Sequence, residues 1–131
     1  MIFVDTSALY ASLDRKDRDH AAAKKTLARL LEEREVLFTT NYVVLEAAAL
    51  VQRRLGLDAL RTFQADIVPS ISVDWVGQST HDAAAEAVLI ANRRDLSLVD
   101  CVSFYVMRAN GIERVFSLDG HFREQGFEVI P

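Results

Sequence analysis

Residues 1–14 read MIFVDTSALYASLD, and the fold turns on how this stretch is read. Ile2, Phe3 and Val4 make a short apolar run that stops at Asp5, and Thr6 and Ser7 lead into a helical pattern near Ser7–Leu13. A buried-looking strand that ends on a carboxylate, with no basic residue nearby, needs a partner for the charge. In an open α/β sheet the ligand crevice lies beyond the carboxyl ends of the strands. Asp5 would then point into that crevice, and a metal ion shared with other acids would be the missing partner.

The same alternation continues outward from Asp5. Further strands are predicted at Val36–Thr39, Ile71–Val76, Val115–Leu118 and Phe127–Ile130. A helix near Ala21–Glu35 carries Ala23, Leu27, Leu30 and Leu31 on one face, with Lys24, Lys25 and Arg29 turned outward. Thr40 caps an apolar helix running to about Leu55, where Gly56 is a C′ residue. Another helix fills Asp58–Ile67 and ends before Pro69, and Ser79 with Asp82 reads as a capping box for Ala83–Arg93. The last, Leu98–Asn110, stops at Gly111. Strands separated by helices imply right-handed crossovers and a central parallel sheet of about five strands, covered on both faces. The expected architecture is one α/β domain over residues 1–131, a three-layer α/β/α sandwich.

Composition narrows the function. Half the residues are hydrophobic and 26% are charged, as in an ordinary soluble protein. No stretch is long and apolar enough to span a membrane, and the N-terminus lacks the basic region and cleavage site of a secretory signal. A single cysteine, Cys101, excludes an internal disulfide and fits the cytoplasm, where it is expected as a small core residue. Three histidines without metal-type spacing make a zinc site improbable. The net charge of −4 argues against a nucleic-acid partner at first. Setting four of the 19 acids aside as metal ligands, however, leaves 15 to face 15 basic residues.

Four acids stand in awkward places. Asp119, in RVFSLDGHF, repeats the arrangement of Asp5, although an Asp-Gly turn or a helix cap would also explain it. Glu46, in YVVLEAAALV, shares a helical face with Tyr42, Val43, Ala49 and Leu50. A charged, unpaired carboxylate there costs several kcal/mol, so it needs a partner or a raised pKa. Asp100, in LSLVDCVSF, is explained equally well as the fourth member of a capping box begun by Ser97. Each falls near a strand's carboxyl end or in the first turns of the helix that follows. Carboxylates that close repel unless a cation sits among them, and none of the four stretches supplies Lys or Arg. Hard divalent ions, Mg²⁺ or Mn²⁺, suit oxygen ligands and leave positions for water and a phosphate. The implied chemistry is metal-assisted hydrolysis of a phosphodiester.

In these stretches, IFVDTSAL, TTNYVVLEAAAL, LSLVDCVSF and FSLDGHF followed by FEVI, the sequence resembles a PIN domain of the small VapC toxin type. The motifs occur in the family's order and span nearly the whole chain. The resemblance implies an acidic quartet of Asp5, Glu46, Asp100 and Asp119 holding Mg²⁺ or Mn²⁺, with Thr6, Ser7 and Ser117 as supporting hydroxyls. It further implies an endoribonuclease, the toxin of a type II toxin–antitoxin pair, with an RNA substrate, a VapB-type antitoxin and a homodimer.

Which basic residues hold RNA stays open: Arg53, Arg54, Arg93, Arg94 and Arg108 are candidates, though solvated helix faces explain them as well. His121, two residues past Asp119, stands where it could approach the site, but it is expected as an exposed surface histidine. Two rival readings are a PIN-like binding module without activity and a phosphoaspartyl phosphatase using Asp5 as nucleophile. The second is weakened by Ser7, which stands where such enzymes carry another Asp. A receiver-type domain would need a late lysine that SLDGHF lacks, and a serine hydrolase would need a GxSxG elbow.

Overall fold

The structure, a computed structural model, describes residues 1–130. Three apolar residues suffice for β1 (Ile2–Val4) because the strand is central, and all three side chains are fully buried. It pairs in parallel with β2 (Leu37–Thr40) on one side and β4 (Arg114–Phe116) on the other. Outside these lie β3 (Ser72–Asp74) and β5 (Glu128–Ile130), giving a five-stranded parallel sheet in the order β3-β2-β1-β4-β5. The register places Phe3 beside Phe38 and Val115. The expected parallel sheet flanked by helices is therefore present.

Helices alternate with these strands: α1 (Thr6–Leu13), α2 (His20–Glu32), α3 (Asn41–Leu55), α4 (Leu57–Thr62), α5 (Gln78–Ala91), α6 (Leu98–Ala109) and α7 (His121–Glu124). Thr40 ends β2 and also caps α3, accepting from the Val43 N–H at 3.3 Å. Gly56 ends α3 at φ +94°, a left-handed backbone that only glycine adopts without strain.

Local departures from the sequence reading have physical causes. Ser79 and Asp82 make no capping box: α5 begins two residues earlier than a Ser79 cap would start it, with Gly77 at its cap and no side-chain bond there. It ends at Ala91 because Asn92 turns left-handed at φ +52°. The helical path from Leu57 does not stop before Pro69. A π-turn over Phe63–Ile67 takes in one extra residue with Phe63 fully buried, and a 3₁₀ turn (Val68–Ser70) then accepts Pro69 near its start. Val36 lies outside β2 and is half exposed.

The four-residue α7 was not foreseen, and a helix this short has no stability of its own. Phe122 holds it. That ring is fully buried and meets Phe104 edge-on at 5.1 Å between centroids, with Phe3 and Phe127 at 6.4 and 6.3 Å. The clamp fixes the residues on either side of Phe122.

Candidate metal centre

The strand order reverses direction between β1 and β4, which opens a crevice at their carboxyl ends. Asp5 follows β1 directly, and Ser117–Asp119 follow β4. The Asp5 N–H donates to the Phe116 carbonyl at 3.0 Å, carrying the ladder one residue past the strands. The Asp5 side chain is 4% exposed as a residue and caps α1. Its Oδ2 accepts from Ser7 Oγ at 2.8 Å and from Ser117 Oγ at 3.1 Å. Burial lifts the Asp5 pKa to about 6 and Asp100's charge pushes the same way, although the serine bonds oppose both.

Ser7 and Ser117 do more than satisfy Asp5. Ser7 Oγ also accepts from the Leu118 N–H at 3.0 Å, and Ser117 Oγ accepts from the Asp119 N–H at 2.9 Å. The two hydroxyls thus stitch the end of β1 to the loop that carries Asp119. Thr6 does not share that role. Its Oγ1 is buried and has no hydrogen-bond partner among the described residues, so the hydroxyl support for Asp5 comes from Ser7 and Ser117, while Thr6 contributes only its backbone N–H.

Asp100 makes the capping box expected of it. The Ser97 hydroxyl accepts from the Asp100 N–H at 3.0 Å, and Asp100 Oδ2 accepts from the Ser97 N–H at 3.2 Å. The cap and the cluster are compatible, because the same carboxylate faces Asp119 and His121. Burial raises the Asp100 pKa, and the Asp119 charge adds to the rise. Asp119 accepts from the His121 N–H at 2.9 Å through Oδ1. Single ligand atoms of Asp100, Asp119 and His121 all lie within 4.8 Å of one another.

His121 is not the surface histidine expected. Its side chain is 18% exposed, with Nδ1 3.0 Å from Asp119 Oδ1 and 3.6 Å from Asp100 Oδ2. Both contacts are ion pairs when the ring is charged, although neither carboxylate oxygen lies in good hydrogen-bond direction from the buried Nδ1. Nε2 lies 3.2 Å from Asp95 Oδ2. Burial works against a charge on the ring, but Asp95, Asp119 and Asp100 outweigh it and hold its pKa above the usual value. Sequence reasoning missed His121 because the residues that bury it are remote. The one available signal was its place two residues after a strand-end acid.

Glu46 lies on the second turn of α3, half-buried, with no hydrogen-bond or ion-pair partner among the described residues. It is not among the ligand atoms grouped within 4.8 Å, and the apolar face assigned to it is incomplete because Ala49 is exposed. The structure thus groups Asp100, Asp119 and His121, sets Asp5 beside them through Ser117 and the charge of Asp100, and leaves Glu46 on the neighbouring helix.

The donor set fits a divalent ion. Thr6 Oγ1 and His121 Nδ1 are the buried side-chain polar atoms without a hydrogen-bond partner among the described residues, and each adjoins one of the acids in sequence or space. Such orphans cost about 1–3 kcal/mol each unless something satisfies them. Asp5, Asp100 and Asp119 have no Lys or Arg among their ion-pair partners, as the sequence implied. The proposed arginines are largely engaged elsewhere. Arg93 pairs with Asp95 and Glu124, Arg108 bonds Gln125 and covers Phe127, and Arg54 lies over the Tyr10 ring. Arg53 and Arg94 are exposed. Cys101 is buried, which pushes its thiol pKa up, so it is the core residue expected. A groove of about 600 Å³ between α5 and α6, lined by Leu96, Phe104 and Tyr105 among others, contains none of the acids.

Residues 2–128 match the PIN domain family model. The 23S rRNA-specific endonuclease VapC20 of Mycobacterium tuberculosis, in strains CDC 1551 / Oshkosh and ATCC 25618 / H37Rv, is 35% identical over 133 residues, covering 100% of this chain and 99% of the relative. The crystal structure of M. tuberculosis VapC20, described as a sarcin-ricin loop cleaving toxin, matches with a TM-score of 0.86 and 35% identity over 100% of both chains. FitAcB from Neisseria gonorrhoeae shares the fold, with a TM-score of 0.72 at 13% identity over 100% of this chain and 97% of that one. By sequence and by fold, the chain belongs to the PIN-domain family, beside VapC-type members.

Proposed function

We propose that the chain is a divalent-metal-dependent endoribonuclease and the toxin of a type II toxin–antitoxin pair. The observation that carries this reading is the cluster of Asp100, Asp119 and His121 at the β1–β4 crevice, with the buried Asp5 beside it. Asp5, Asp100 and Asp119 would hold Mg²⁺ or Mn²⁺, with Glu46 completing the set from α3. When bound, the ion would acidify a water and neutralise charge on the phosphodiester that the water attacks. The chain's own residues fix the geometry. Ser7 and Ser117 orient Asp5, the Ser97 cap orients Asp100, and the His121 N–H orients Asp119. Glu46, unpartnered, is the carboxylate with freedom to turn toward ion or water.

The likeness to VapC20 along the full chain supports RNA as substrate and makes 23S ribosomal RNA the first one to test. A cognate VapB-type antitoxin and a homodimer follow from the same kinship. Exposed Leu45 and Trp75, and Leu89, Ile90 and Tyr105 elsewhere, support a protein that meets others through apolar surface.

The test is incubation of purified protein with ribosomal RNA in Mn²⁺, Mg²⁺ or EDTA, with the new ends mapped. Discrete ends that need the ion and vanish in Asp5→Asn are expected. RNA bound but left intact with Mn²⁺ present would instead favour the inactive binding module.

A further inference from the structure

The metal-centre reading leaves His121 with a buried nitrogen that faces two of the acids outside good hydrogen-bond direction. We propose that His121 is a nitrogen ligand of the ion, offered through Nδ1 and braced from behind by Asp95, so that the centre favours Mn²⁺ and similar transition metals over Mg²⁺. This inference rests on the metal-centre reading and specifies its ligand chemistry.

Asp95 decides which ring nitrogen keeps its proton. Arg93 donates to both Asp95 oxygens, at 3.2 and 2.8 Å, and holds Asp95 ionised, so that carboxylate can only accept. The ring nitrogen beside it, Nε2, is therefore the one that donates. Nδ1 is then the nitrogen free to give its lone pair to an ion set beside Asp119 and Asp100. Carboxylate, imidazole and metal in line is the common way proteins fix the tautomer of a metal-bound histidine.

The spacing agrees. Adjacent donors at right angles on an octahedral ion, each about 2.1 Å from it, lie about 3.0 Å apart. Nδ1 and Asp119 Oδ1 are 3.0 Å apart, and ligand atoms of Asp100, Asp119 and His121 all fall within 4.8 Å of one another.

The site is also rigid. Phe122 locks α7 into the core, and Arg93 ties Asp95 to Glu124 at the end of the same helix. The ring is held from both sides, as a ligand must be. Transition-metal ions accept imidazole nitrogen, Mn²⁺ least strongly among them, whereas Mg²⁺ keeps to oxygen and water, so a nitrogen in the set tilts selection away from Mg²⁺.

The test loads the EDTA-stripped full chain with Mn²⁺ alone and reads pulsed electron paramagnetic resonance for coupling to a coordinated ¹⁴N. Mn²⁺ and Mg²⁺ affinities are titrated in parallel. The wild type should show the coupling, and His121→Asn should lose it together with about 10–100-fold in Mn²⁺ affinity, with Mg²⁺ affinity changing far less. Asp95→Asn should keep the coupling but bind Mn²⁺ more weakly. Tight Mn²⁺ binding in the wild type without nitrogen coupling would overturn the inference and leave the metal-centre reading standing, as would equal losses for both ions in His121→Asn. No Mn²⁺ binding at all, or binding unchanged in Asp119→Asn, would overturn both. The wild-type spectrum decides the matter even if a variant fails to fold.

Discussion

Asp5 shows what a site costs when its ligand is absent. Its carboxyl is buried at the centre of the sheet, with a pKa of about 6 against 3.8 for an exposed aspartate. The folded state therefore holds the proton more tightly than the unfolded chain. Without metal, the Asp5 contribution to stability is most favourable below about pH 4, falls as pH rises toward 6, and above that carries the full penalty of about 3 kcal/mol. Asp5→Asn removes the charge, so in EDTA at pH 7.5 it is expected to unfold at higher urea than the wild type. At pH 4.5 the gap should narrow sharply. A variant less stable than the wild type at pH 7.5 would contradict this account of Asp5. The unpaired strand-end acid was legible in the sequence because its neighbours are all apolar or hydroxylic. The environment of His121 was not, because it is made by Asp95, Asp100 and the Phe122 clamp, and no local pattern encodes contacts between those segments.

The helix termini were partly legible, and where they were the reason is local. Ser97 and Asp100 satisfy each other within four residues, so the cap could be read without knowing the fold. Ser97→Ala is expected to cost about 1 kcal/mol in urea unfolding. It should also weaken Mn²⁺ binding, because Asp100 loses one of its two anchors; a pure stability loss with unchanged affinity would separate cap from site. The Ser79–Asp82 pair had the same letters and failed. Nothing local forbade an earlier start, and α5 takes Gly77 as its cap. The π-turn at Phe63–Ile67 was invisible for a related reason: it serves the burial of Phe63, which depends on elements elsewhere. The short α7 belongs to the same class, a helix that tertiary packing imposes on a sequence too brief to form one alone.

For the molecule as a whole, the layering could be read from alternating strands and helices, but the order of the strands could not. Pairing residues 2–4 with 114–116 is a decision between distant segments that alternation does not constrain. That pairing brings Asp5 to Asp119, so the site is a property of the complete sheet. An ion that binds only this assembled state should stabilise it by mass action, about 2.7 kcal/mol at a hundredfold excess over Kd. Differential scanning calorimetry in millimolar Mn²⁺ should show a melting temperature several degrees above that in EDTA. In Glu46→Gln the rise should shrink; an undiminished rise would remove Glu46 from the ligand set.

The β1–β4 pairing has a temporal consequence as well. A polypeptide emerging from the ribosome cannot close its central strand pair until the segment around residue 115 is out, and contacts so far apart in sequence form late. Every shorter nascent chain lacks one wall of the crevice. The assembled crevice, and whatever chemistry it supports, therefore arrives only as translation ends.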